Sequence, residues 1–169
     1  MSECTEPQSA TELVKVRTGI PGFDDIASGG LPGGRISLVL GGPGTGKTVF
    51  ALQALVNGAR DEDEPGIFLA FEETCAEIRT NAASFAWDLA GLERDGNLAL
   101  IDAQLSPDTI RAGTFTLEGM LATLDAKVRE MGAKRVVFDS LDVLMEMLPD
   151  PELARRELRR IRDWLRKRR

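Results

Sequence analysis

Residues Gly41-Gly42-Pro43-Gly44-Thr45-Gly46-Lys47-Thr48 satisfy the spacing G-x-x-x-x-G-K-[ST] in full. That spacing has a specific chemistry. Glycines let successive backbone N–H groups turn inward and wrap an anionic group. A helix starting just after them adds partial positive charge. Lys47 would supply a point charge to β- and γ-phosphates, and the Thr48 hydroxyl could reach Mg²⁺. Gly41, Gly42, Gly44, Thr45, Gly46, Lys47 and Thr48 are therefore the expected phosphate cradle.

Three carboxylates stand where they could serve it. The run GIFLAFEET (66–74) is apolar up to Phe71 and then carries Glu72 and Glu73. Carboxylates at the end of a strand buried on both faces are costly without partners. Near a γ-phosphate, such a group can take a proton from the attacking water. Successive residues point opposite ways, so one glutamate should face the water: Glu72 as base, with Glu73 as a helix-start charge. Asp139 ends the apolar stretch VVF about 90 residues after the loop. At the C-terminal tip of a parallel strand it would point into the ligand crevice and hold Mg²⁺ directly or through water. Asp102, ending LALID, is the alternative for that role. Asp142 reads as a surface or capping residue.

The elements that must position these groups follow from periodicity. RISLVLGG (35–42) reads as a buried strand leading into the loop, and TVFALQALVNG (48–58) as a helix stopped by Gly58. Thr74 and Glu77 have capping-box spacing and open a helix that carries Ile78, Ala82, Phe85 and Leu89 on one face and ends at Gly91. Strands follow at 98–102 and 135–140. An amphipathic helix spans Leu117 to Met131, and a last helix begins at Asp150-Pro151. Strands alternating with helices imply an α/β fold with a parallel sheet flanked by helices.

Composition narrows the function. There is no histidine, which excludes His-based triads, His metal sites and imidazole acid–base work. Cys4 and Cys75 form no CxxC and no zinc pattern, and read as free thiols of a cytoplasmic protein. No run is long enough to span a membrane. The polar residues 1–12 are expected to be a disordered tail ahead of one domain, 13–169. The net charge of −6 argues against broad nucleic-acid binding. Charge is uneven, however. Residues 155–169 carry nine Arg and Lys against Glu157 and Asp163, on a helix whose Ala154, Leu158, Ile161 and Leu165 suit packing on the sheet.

KVRTGIPGFDDIASGGLPGGRISLVLGGPGTGKT, FEET, NAASFAWDLAGL and RVVFDS together resemble the first ATPase domain of the KaiC family of circadian clock ATPases, within the RecA-like superfamily. The resemblance runs from about Val14 to the end. It implies ATP and Mg²⁺ as ligands, with Gly44 to Val49 on the triphosphate and Mg²⁺ on Thr48. It also implies Glu72 and Glu73 as paired catalytic glutamates, Ser84 as a nucleotide contact and Asp139 as the Walker B aspartate. Homo-oligomeric, hexameric rings with nucleotide between subunits, a regulatory role and further protein partners are implied as well. Phe85 and Trp87 in the SFAWDL stretch read as core packing.

In RecA-like sheets the strand after Walker B lies between the P-loop and Walker B strands. The final helix here ends at Trp-Leu-Arg-Lys-Arg-Arg, where that strand should begin. The expectation is therefore a sheet incomplete at the C-terminus, in a truncated chain prone to instability. Three other functions compete with an ATPase ring. They are a RadA-like repair ATPase loading on DNA, a serine/threonine autokinase, and a nucleotide-binding fragment without turnover.

Overall fold

The computed structural model describes residues 13–103, 117–146, 148 and 150–167. The sequence readings for the 1–12 tail, Cys4, Arg168 and Arg169 lie outside them. An antiparallel pair, β1 (Lys15–Val16) and β2 (Leu31–Pro32), encloses the short helix α1 (Phe23–Ile26). Then come α2 (Lys47–Asp61), β3 (Gly66–Ala70), α3 (Cys75–Ala82), α4 (Leu89–Arg94) and β4 (Leu98–Asp102). The helix α5 (Leu117–Met131), β5 (Arg135–Asp139), α6 (Leu141–Glu146) and α7 (Pro151–Arg166) complete the order.

Three strands form a parallel sheet in the order β4-β3-β5. All five residues of β3 are buried, because the strand is central and covered on both faces. Phe68 and Ala70 face Leu52, Leu55 and Val56 of α2, Ile78 and Ala82 of α3, and Leu89 of α4. The alternate residues Ile67, Leu69 and Phe71 face Leu117, Leu121 and Leu124 of α5 and Ile161 of α7. Burying each of the Leu, Ile, Val and Phe side chains contributes about 1.5–3 kcal/mol. The register places Ala70 level with both Asp102 and Asp139. The tips of all three strands therefore end at one level.

Four sequence expectations need correction. Residues 36–40, expected as a strand, adopt no regular structure, and Ile36, Leu38, Val39 and Leu40 are exposed. A strand exists only through hydrogen bonds to a neighbour, and among the described residues none lies between this segment and β5. Gly58 does not stop α2, which runs on to Asp61. The helix begun at Thr74 does not reach Gly91. It gives way to a 3₁₀ turn, Ala83–Phe85, and then to Ala86 with φ 54°, and a separate α4 starts behind the Asp88 cap. In consequence Phe85 leaves the core and is 45% exposed, stacked on the half-buried Trp87 at 4.7 Å.

Other expectations hold, except that Leu158 of the α7 stripe does not pack on the sheet. Thr74 and Glu77 form the reciprocal capping box. The α5 bounds match, and Asp150 caps α7 by accepting from Glu152 N at 3.0 Å. On α7, Ile161 is buried, Trp164 meets Phe138 edge-on at 6.5 Å, and Leu158 faces outward at 39% exposure. Glu157 is buried instead, close to Arg156 and Arg160.

Candidate functional site

The loop 41–46 turns tightly because Gly44 and Gly46 take φ of 74° and 87°, a region that side chains disfavour. Thr45 braces the turn, donating from Oγ1 to Gly42 O at 2.9 Å. Gly46 is the N-cap of α2 and offers no side chain to the first helical amides. Those N–H groups are left for an anion. A Cβ built on Gly42, Gly44 or Gly46 would meet nothing within 4 Å, so the space over the loop is open. The Lys47 ammonium folds back over it, donating to Gly41 O at 2.9 Å and Gly42 O at 3.1 Å.

At the first turn of α2 the Thr48 hydroxyl donates to Asp139 Oδ2 at 2.6 Å. This bond ties the loop to the tip of β5 across 91 residues of sequence. Asp139 is half-buried, and burial pushes its carboxyl above the ordinary value. The Thr48 bond and Lys47 pull it back down, while Glu72 and Asp142 push it up. Asp142, in the first turn of α6, is held low chiefly by a hydrogen bond from the Ser140 side chain.

The two glutamates part company just past β3. Glu72 is exposed, and its Oε2 lies 3.4 Å from the Ser140 hydroxyl, beside Asp139. Glu73 turns toward α3, where Asn81 Nδ2 donates to its Oε2 at 2.9 Å. Ser84, exposed in the 3₁₀ turn, donates to Asn81 O at 2.8 Å. Val49 follows Thr48 within the first turn of α2. Asp102 is elsewhere: its Oδ1 accepts from Cys75 N at 2.7 Å and anchors the start of α3. The structure thus gathers Lys47, Thr48, Asp139 and Glu72, and sets Glu73 and Ser84 to one side. Sequence reasoning missed Ser140 and Asn81. Ser140 could have been found as the hydroxyl following a strand-tip aspartate. Asn81 carries no such signal, because a bend in the chain makes its contact.

Comparison with known proteins gives the family. The family model described as "ATPase: KaiC" matches residues 16–169. The chain belongs to the KaiC family. The circadian clock oscillator protein KaiC of Synechococcus elongatus is 42% identical over 164 residues, covering 95% of this chain and 32% of that protein. The circadian clock protein KaiC2 of a Synechocystis strain is 38% identical, covering 95% of this chain and 28% of its own length. The chain therefore spans about a third of the curated KaiC relatives it matches. A crystal structure of a KaiC-like protein from Pyrococcus horikoshii superposes with a TM-score of 0.81 at 34% identity, covering 92% of this chain and 67% of that one. The RecA-like reading of the sheet rests on that neighbour and on the parallel strand order.

Mg²⁺, which the family implies, fits the residues present. The paired oxygens of Thr48 and Asp139 are hard donors, and burial leaves the Asp139 carboxylate favouring a nearby cation. Among the described residues no cluster of three or more His, Cys, Asp or Glu could hold a metal. Mg²⁺ needs none, because it commonly takes one or two protein oxygens and completes its shell with phosphate and water.

Proposed function

We propose that this KaiC-family domain binds ATP with Mg²⁺ and hydrolyses it, Glu72 acting as the base. The observation that carries this is the 2.6 Å bond between Thr48 and Asp139 at the mouth of the loop, with Glu72 one hydroxyl away through Ser140. Amides of the loop and of the first turn of α2 would hold the phosphates. Lys47 would exchange the Gly41 and Gly42 carbonyls for β- and γ-phosphate oxygens. Mg²⁺ on Thr48 and Asp139 would supply charge neutralisation of the phosphate oxygens. Glu72, open to solvent at the strand tip, would accept the proton of the attacking water. Glu73, tied to Asn81 in the last turn of α3, would act indirectly, by holding that helix beside the strand tip. On family likeness, Ser84 contacts nucleotide and copies assemble as a hexameric ring in the cytoplasm. No helix among the described residues is long and apolar enough to cross a membrane.

The test is turnover in Glu72→Gln and Glu73→Gln. Glu72→Gln should slow hydrolysis by about 10²–10⁴ while nucleotide still binds, and Glu73→Gln should cost less. If neither slows hydrolysis while both bind ATP, the assignment fails.

A further inference from the structure

The turn between β1 and α1 is built with more hydrogen bonds than a connection needs. Thr18 is 1% exposed. Asp24 accepts from Thr18 N at 3.0 Å, Thr18 Oγ1 at 2.7 Å and Gly19 N at 2.9 Å. Ile20 N in turn donates to Thr18 Oγ1 at 3.2 Å. Burial works against the Asp24 carboxylate, yet the bonds from Thr18 and Gly19, with Arg17 nearby, hold it below the usual range. One face of this rigid turn lies against α2. Asn57, 4% exposed, donates from Nδ2 to Thr18 O at 3.0 Å, while its own Oδ1 accepts from Arg60 at 3.2 Å. The approach is close enough to require glycine. Gly19 has φ 66°, and a Cβ there would come 2.8 Å from Asn57 Cβ. A second grip lies nearer the loop, where Phe23 meets Phe50 edge-on at 4.9 Å. Phe50 N closes the first turn of α2 on Gly46 O at 2.8 Å.

We propose that the Thr18–Asp24 turn is a positioning device for the phosphate-binding loop, acting through Asn57 and the Phe23–Phe50 contact. The two grips are seven residues apart on α2, about 10 Å at 1.5 Å per residue. Two contacts at that separation fix the direction of the helix axis, where one would leave a pivot. Asn57 stands about 15 Å along the axis from Lys47. A tilt of about 5° about it would move Lys47 and Thr48 by about 1.3 Å, and displacements near 1 Å cost on the order of 10²-fold in well-aligned sites. The grip carries weight here because residues 36–40, which enter the loop, have no sheet neighbour among the described residues. Asp24, Asn57 and Phe23 are thus positioning residues, acting through α2 and touching no ligand.

The proposal rests on the nucleotide reading above, and its test separates the two. In the 169-residue chain, Asn57→Ala and the milder Phe23→Leu are compared with Asp150→Ala, which removes a distant helix cap. Binding of a fluorescent ADP analogue with Mg²⁺ is measured at a temperature where each variant is folded. The expected result is at least a tenfold weaker affinity in Asn57→Ala, a smaller loss in Phe23→Leu, and no change in Asp150→Ala. Hydrogen exchange of the Phe50 amide, bonded to Gly46 O, and of the amides of the next turn, 51–54, is followed without nucleotide. It should speed up at least tenfold in Asn57→Ala and stay unchanged in Asp150→Ala. Equal affinity and equal exchange in the clamp variants and wild type would overturn the proposal. So would losses matched by Asp150→Ala, which would show general destabilisation. If wild type fails to bind the analogue while exchange still responds as expected, the nucleotide reading falls and the mechanical role of the turn stands.

Discussion

Replacing Gly58 by alanine sets helix preference against a steric clash, and the two carry opposite signs. Gly58 sits inside α2, and at an unconstrained helical position Gly→Ala stabilises by about 1 kcal/mol. Here a Cβ would lie 2.4 Å from both Cζ and Nε of Arg135. The guanidinium has little room to move aside. Its Nη1 donates to Ala54 O at 2.7 Å and its Nε to Glu64 Oε2 at 2.7 Å. Nη2 stands 2.6 Å from the same oxygen, in ion-pair contact, and the side chain is 10% exposed. Displacing it gives up at least one charge-assisted bond, each contributing about 1.5–3 kcal/mol. Steric strain adds to that loss, and the helix preference offsets part of it. The net expectation is a loss of about 1–3 kcal/mol, or a melting midpoint lower by about 2–10 °C for a chain of this size. Urea unfolding followed by tryptophan fluorescence measures it. In an Arg135→Met background the same substitution should become neutral or favourable. A gain of about 1 kcal/mol from Gly58→Ala alone would refute the argument.

Other perturbations test other parts of the molecule. Because burial raises Asp139 above the ordinary carboxylate value, its ionisation disfavours the folded state, and stability should fall as pH rises from that value through the raised one. Asp139→Asn should flatten that slope and abolish stabilisation by Mg²⁺ with nucleotide, both visible in thermal melts across pH. Thr74→Ala removes the reciprocal cap of α3 and should cost about 1 kcal/mol in urea unfolding. The thiol of Cys75 is buried, and burial with a hydrogen bond to Asp102 pushes it up to about 12. Alkylation of Cys75 at neutral pH, mapped by peptide mass, should therefore follow unfolding and be negligible in the native chain. Rapid native labelling would contradict that environment.

Much of the site is legible without coordinates, because its signals are local. The loop spacing names the cradle by itself, since glycine and lysine chemistry acts within eight residues. Capping at Thr74 and Asp150 is also local, a side chain meeting an amide two or three residues on. The strand tips bearing Glu72 and Asp139 follow from apolar runs that end in charge.

Tertiary structure decided what depends on neighbours. Residues 36–40 have the composition of a strand, but a strand is a relation between two chains of backbone groups, and composition cannot supply the second. Gly58 looked like a stop because glycine often ends helices. Its real constraint is an arginine 77 residues away in sequence, lying on the helix surface. Periodicity put Phe85 in the core, until a left-handed Ala86 turned the chain out. Strand alternation sets Glu72 and Glu73 apart in direction but names no neighbour for either. Ser140 on one side and Asn81 on the other give them different surroundings, and only the packed fold brings those two residues to hand.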